Sequence, residues 1–404
     1  MKHRLTTWAA CLALSTMTLA CGGEDAETPA ENTTENTTDG GNNASDAGGV
    51  DGASEDSKVS PPSTKLGPHN IGFRTIEHTY TASHGDIPER KLTINIWYPT
   101  DDKKGEEPTY FGTWPVSIFK AFEGETVIKD ANLAAPDGTT YPLLVTSHGA
   151  NGFGASTATI HHFFASYGWV VAAPDHVTDT LSDVGQGSPA WLRLARPLDI
   201  SGSIDALEKL PATDPLAGKV DTKKVAMTGH SRGGVTTWAA SGAKFDRSRI
   251  DAKCKSGGLK KCTKAMLDGY EKGAHDKRIV CGIPMAGAGG FDPWFGDTGH
   301  AQAKVPQLQM SGSIDKDDPQ QVFDKAGHVP LTWIDIKGGC HQAFAMGKCD
   351  KLPDKVGFPI IDTYALAFAR HHVLDDSSAS VMGLLDGSLS ISKLVTLKRK
   401  NVPK

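Results

Sequence analysis

No HExxH motif and no CxxC pair occurs in the 404 residues, so two familiar zinc patterns are missing. Neither charge sign dominates: 42 Lys and Arg face 47 Asp and Glu, a formal net charge of -5. With its basic residues scattered, the chain lacks the positive surface a nucleic-acid partner would need. A long apolar run is missing too. The stretch from Trp8 to Leu19 is too short to span a bilayer as a stable helix. From Gly22 to about Thr64 there is almost nothing to bury, which excludes a packed core in that segment.

What is present at the start is a secretion signal. Lys2 and Arg4 precede the apolar stretch, and Thr18-Leu19-Ala20-Cys21 closes it with small residues before a cysteine. Residues 1–20 resemble a bacterial lipoprotein signal, which implies that Cys21 becomes the lipidated first residue. An ordinary secretory signal is the alternative. Residues 21–64 then read as a disordered tether, rich in Glu, Asp, Asn, Thr, Gly and Ser. Glu31-Asn32-Thr33-Thr34 recurs at once as Glu35-Asn36-Thr37-Thr38. This places a folded domain outside the cytoplasm, held to a membrane of the cell envelope.

The remainder, about 340 residues, suits one α/β domain with insertions. Ile71 to Thr81 and Lys91 to Tyr98 read as an antiparallel pair. Residues 101–140 look like an insertion. Unalternating apolar runs follow at 143–146, 169–173, 225–228, 279–285, 307–310 and 333–336. Such runs mark strands covered on both faces. Helical stretches at 157–167, 199–210, 236–244 and 360–372 separate them. Repeated strand-helix-strand order predicts a mostly parallel central sheet with helices on both faces. The domain runs over 65–375, and 376–404 is a C-terminal extension. Lys398-Arg399-Lys400 and Lys404 near its end read as a solvated basic tail.

The most informative motif is Gly229-His230-Ser231-Arg232-Gly233, directly after the run ending at Thr228. G-x-S-x-G between a strand and a helix is a nucleophile elbow that lifts the serine hydroxyl above the sheet. The glycines answer a turn with no room for Cβ atoms. A second motif, Ser147-His148-Gly149-Ala150-Asn151-Gly152, follows an earlier strand. Acyl transfer builds negative charge on a carbonyl oxygen, and fixed amide donors stabilise it. The backbone N–H groups of Ala150 and Arg232 are the expected oxyanion donors. His148 precedes the serine and shapes this loop.

The elbow fold expects the order Ser, then acid, then His. Asp315 follows the strand at 307–310, with Asp317 and Asp318 nearby. Asp292 is the rival, because it follows the strand between. His341, in Gly338-Gly339-Cys340-His341, ends the last strand before the final helix. His176 reads as structural, and the pairs His161-His162 and His371-His372 fall in helices. Phe153 and Trp294 could line a substrate pocket or merely pack in the core. Neither cofactor nor metal is needed for such a site.

Five cysteines lie beyond Cys21. Cys281 sits in a buried run and reads as a free core thiol. The others form two near pairs, Cys254 with Cys262 and Cys340 with Cys349, and local pairing is the simplest of three connectivities. Cys340–Cys349 would close a loop behind His341; a bridge to Cys254 or Cys262 is the alternative.

Several blocks carry a resemblance: Ile96-Trp97-Tyr98-Pro99, Pro142 to Gly149, Tyr167 to His176, Arg196-Pro197-Leu198-Asp199-Ile200, and Val220-Asp221 leading into the elbow. With these the chain resembles an α/β-hydrolase. More narrowly, it is similar to bacterial predicted dienelactone hydrolases grouped with platelet-activating-factor acetylhydrolase. That resemblance implies a Ser-His-Asp esterase acting on small or lipid-like carboxylic esters. Arg232 and Ala150 depart from the bulkier apolar residues common there, and neither change removes a backbone N–H. A lipase or polyester hydrolase is the neighbouring reading. A decayed, surface-anchored binding protein is the other class, and the intact order of Ser, Asp and His argues against it.

Overall fold

A computed structural model describes residues 60, 62–110, 122–134, 140–287, 294–345 and 348–402. The expected signal, Cys21 and all of the expected tether except residues 60 and 62–64 lie outside the described residues, as does Asp292. All that is described belongs to the unit Ser57–Lys404.

Ten strands form one sheet. They are β1 (Asn70–Tyr80), β2 (Arg90–Thr100), β3 (Val127–Lys129), β4 (Tyr141–Ser147), β5 (Val170–Pro174), β6 (Val220–His230), β7 (Ile279–Met285), β8 (Gln307–Gly312), β9 (Leu331–Ile336) and β10 (Val395–Lys400). Their spatial order is β10-β9-β8-β7-β6-β4-β5-β2-β1-β3. The six from β4 to β9 run parallel. β2 and β10 join antiparallel at either side of that block.

The parallel strands are apolar throughout because both faces are covered. Leu144, Val171 and Ala226 point into one core, while Leu143, Val145, Val170, Ala172 and Met227 point into another. The first core takes side chains from helices α1 (Ala158–Ser166) and α7 (Asp354–Leu374). The opposite face carries α2 (Leu192–Glu208) and α3 (Arg232–Ala240). Full burial of one such leucine contributes about 1.5–3 kcal/mol.

Three differences from the sequence reading have physical causes. Helix α2 starts at Leu192, ahead of Pro197, which sits inside it. Proline at that place removes only one backbone hydrogen bond, and the buried face of α2 outweighs the loss. The short helices α4 (Arg247–Lys255), α5 (Lys264–Lys272) and α6 (Pro319–Lys325) lie between stretches read as helical, and α8 (Ala379–Asp386) follows the last of them. Finally, the basic tail is not a free end. Lys398, Arg399 and Lys400 form part of edge strand β10, which pairs with β9. Lys398 lies over Trp333, its Nζ 4.4 Å from the ring centroid, and Lys400 lies over Phe323. Long basic side chains can cover aromatic surface while their charge stays wet, and lysine is a usual guard on an edge strand.

Candidate active site

Ser231 sits between β6 and α3 with φ 57° and ψ -117°. Positive φ is strained for a residue with a Cβ, and such strain persists only where surrounding structure imposes it. Here the backbone N–H of Ser231 donates to the Met285 carbonyl at 2.9 Å. A Cβ on Gly229 would overlap the Gly233 carbonyl, and one on Gly233 would overlap the Ser147 carbonyl. The motif glycines are therefore required by backbone crossing. Arg232 is the first residue of α3, so its N–H has no intrahelical acceptor and points outward at the positive end of the helix dipole.

The loops after β8 and β9 bring Asp315 and His341 together. His341 Nδ1 and Asp315 Oδ2 are 2.9 Å apart. The Asp315 side chain is 5% exposed and that of His341 33%. The hydrogen bond to Asp315 holds the His341 ring above its ordinary pKa of 6.5, against the opposing effect of burial. Burial alone would raise Asp315, but the bond and charge of His341 outweigh it and keep the carboxyl below the usual range. Asp317 joins this pair: ligand atoms of Asp315, Asp317 and His341 lie within 4.8 Å of one another, close enough to hold a cation. The direct Asp315–His341 bond already occupies one atom of each residue.

Ser231, His341, Ala150 and Phe153 line one open cleft of about 380 Å³, together with His230 and Gln342. Trp294 is not among its lining residues. It is 8% exposed and packs beside Tyr270 in the core under α3.

Residues 116–182 match the family model described as platelet-activating factor acetylhydrolase, isoform II. That stretch holds the loop around Ala150 and ends before Ser231. No curated protein sequence matches the chain. A solved ferulic acid esterase from Streptomyces cinnamoneus shares the fold, with a TM-score of 0.57 at 18% identity. The match covers 84% of this chain and 98% of that one. The chain has the α/β-hydrolase fold, and its residues 116–182 are similar to an acetylhydrolase family.

The chain contains a buried polar network behind its Gly-rich loop that the sequence reading missed. Asp179 accepts from the guanidiniums of Arg196 and Arg232 and from the backbone N–H of Asn151. Arg196 also donates to the His148 carbonyl and to Ser147 Oγ. His176 donates from Nδ1 to Asp199 at 2.8 Å, and its Nε2 lies 2.9 Å from Ser147 Oγ. Arg90 pairs with Asp199 through two nitrogens. His148 accepts the His176 backbone N–H at Nε2, which leaves Nδ1 to donate to the Gly149 carbonyl at 2.7 Å. Both histidines are neutral: burial, reinforced by Arg196, pushes His176 down to about 4 and His148 well below its ordinary value. The loop carrying Ala150 is thus fixed at residues 147, 148, 149 and 151. His230 adds a further support, donating from Nε2 to the His341 carbonyl at 2.8 Å.

Two disulfides are formed, Cys254–Cys262 and Cys340–Cys349, and Cys281 is a buried free thiol. The second bridge anchors the residue before His341, with Cα atoms 5.7 Å apart. Closing so short a loop stabilises by about 2.5 kcal/mol in the chain-entropy model. Catalytic geometry is sensitive to displacements of about 1 Å. Cys349→Ser should therefore lower kcat and the thermal unfolding midpoint together. Unchanged kcat alongside a lowered midpoint would separate the bridge from His341 placement.

Proposed function

We propose that the protein is a serine esterase, which hydrolyses small or lipid-like carboxylic esters in two steps through Ser231. The observation that carries this reading is the 2.9 Å contact of His341 with buried Asp315, on a ring that shares its cleft with Ser231. His341 Nε2 takes the Ser231 proton as Oγ attacks the ester carbonyl. The N–H groups of Ala150 and Arg232 hold the developing oxyanion. The alcohol leaves with the proton from His341, and an acyl group remains on Ser231. His341 then deprotonates a water that attacks this acyl group. The acid departs, and the proton returns to Ser231. Asp315 keeps the imidazole in the tautomer whose Nε2 is free, and balances its charge when protonated.

The cleft volume of about 380 Å³ is at the small end of ligand sites, which favours short acyl or alcohol groups. Labelling by a fluorophosphonate and a panel of p-nitrophenyl esters of increasing acyl length test the proposal. Labelling with fastest turnover of short esters is expected. No labelling would favour a decayed site, and turnover confined to long or polymeric esters would favour a lipase or polyester hydrolase.

We also propose that Cys21 is acylated after cleavage at Ala20, which would tether the enzyme to a membrane. The wild type should fractionate with membranes and Cys21→Ser should be released. A soluble wild type whose mature N-terminus is another residue would overturn the anchor.

A further inference from the structure

The two expected oxyanion donors sit on separate loops. Ala150 follows β4, and Arg232 opens α3 just after the elbow. A third loop, after β5, reaches both of them through Asp179. One oxygen of that carboxylate, Oδ1, accepts the backbone N–H of Asn151 at 3.2 Å and also an N–H of the Arg232 guanidinium. The other oxygen, Oδ2, takes Arg196. A single atom therefore joins the residue beside one donor to the side chain of the other. The loop after β5 grips the Gly-rich loop a second time, where the Leu181 N–H donates to the Gly152 carbonyl at 3.0 Å. Within the Gly-rich loop the Gly152 N–H turns back to the Gly149 carbonyl, and Asn151 has φ 51°. The N–H held by Asp179 thus belongs to a residue in the left-handed region, which asparagine tolerates but which surrounding structure must maintain.

The Asp179 side chain is fully buried and ionised. Burial alone would raise its pKa, but the charges of Arg196 and Arg232 outweigh burial and keep it below the ordinary carboxylate range. Arg196, also fully buried, already balances this one negative charge. The bond from Arg232 is not needed for neutrality. A buried ion pair is also no more stabilising, as a rule, than apolar residues of the same size. What the bond does supply is a fixed distance. Donors on two loops can drift apart independently, and catalysis is sensitive to misplacement of about 1 Å.

We propose that Asp179 is the positioning residue of the oxyanion hole, with the Arg232 side chain as its second arm, so that one carboxylate oxygen sets the spacing of the Ala150 and Arg232 backbone donors. This deepens the esterase reading and rests on its assignment of those two N–H groups. Neither side chain touches the substrate in this role. An apolar residue at 232 would keep the backbone donor and lose the arm.

The test compares inhibition by 1,1,1-trifluoro-2-hexanone and by 2-hexanone. The first adds to the serine and places an oxyanion in the hole; the second binds as a ketone of similar shape. The selectivity for the trifluoro ketone should fall by roughly tenfold to a hundredfold in Arg232→Met, a part of what loss of a whole donor costs. It should fall less in Arg232→Lys, which keeps the charge and loses the fork. Asp179→Asn, which weakens both arms, should lose up to about a thousandfold. In each variant kcat for p-nitrophenyl acetate, per site counted with a fluorophosphonate, should fall in parallel while KM moves little. Partial unfolding lowers the number of sites and leaves the selectivity between the two ketones unchanged, so a merely structural role would not move it. Arg232 is partly open to solvent, so its variants decide the matter even if Asp179→Asn does not fold. Unchanged selectivity in Arg232→Met, or an equal loss of affinity for both ketones, would overturn the clamp and leave the Ser231 mechanism standing. A wild type that binds the two ketones equally would remove that mechanism and the clamp together.

Discussion

Ser231→Ala should lower ester turnover by about four orders of magnitude or more while the protein stays folded. The size of the effect follows from the chemistry. Without the hydroxyl there is no acyl-enzyme, and only the oxyanion donors and substrate positioning remain to speed attack by water. The fold should tolerate the change because the elbow is imposed by its surroundings. The Ser231 N–H is tied to Met285, and the chain crossings at Gly229 and Gly233 do not involve the side chain. Alanine meets nearly the same penalty at φ 57° as serine does, so the strain is carried over rather than added. Initial rates with p-nitrophenyl acetate and a thermal melt together check this. A variant retaining more than about a hundredth of wild-type kcat with an unchanged melt would remove Ser231 from the mechanism.

The central strands were legible in the sequence because six apolar runs with no polar alternation admit only a doubly covered sheet. The elbow was legible because its glycines serve a backbone crossing that other residues cannot make. Asp315 and His341 were singled out by their places at strand ends, and the fold brings their side chains within 2.9 Å of each other. The buried network was not found, and the reason is physical. Arg196, Asp179 and Asp199 are charged residues that in isolation read as surface, and only their tertiary partners make burial tolerable. One sign was available: Arg196 to Ile200 stood out as a block, without an indication of what it held. The helices α4, α5 and α6 also left a usable signal. Asp246, Thr263 and Asp318 each cap the N-terminus with a side-chain oxygen accepting a backbone N–H. Strand β10 left little, since its charged residues alternate with few apolar ones and its place depends on the exposed edge of β9.

Asp315→Asn should lower kcat by about 10⁴-fold, whereas Asp292→Asn should change it little. The amide can donate to His341 Nδ1, which favours the tautomer carrying its proton on Nε2, where the base must be free. It also withdraws the negative charge that stabilises the imidazolium. The pH profile supplies a second, independent signature. His341 acts as a base only when neutral, so kcat/KM should fall as pH drops through the pKa of its ring. Asp315 raises that pKa, so the acid limb of the wild type should centre above 6.5. In Asp315→Asn the main raising influence is gone, only the smaller one of Asp317 is left, and burial acts downward; the limb should move to lower pH. The linkage to stability has the matching sign. A raised folded-state pKa contributes stability that is fully present below 6.5 and is lost as pH climbs through the folded value. His230 will not blur the limb, because burial followed by the charge of His341 pushes it down to about 4. Measuring kcat/KM from acid to neutral pH in the three proteins decides the assignment. An acid limb that stays in place in Asp315→Asn, or a larger loss in Asp292→Asn, would transfer the orienting role to another acid.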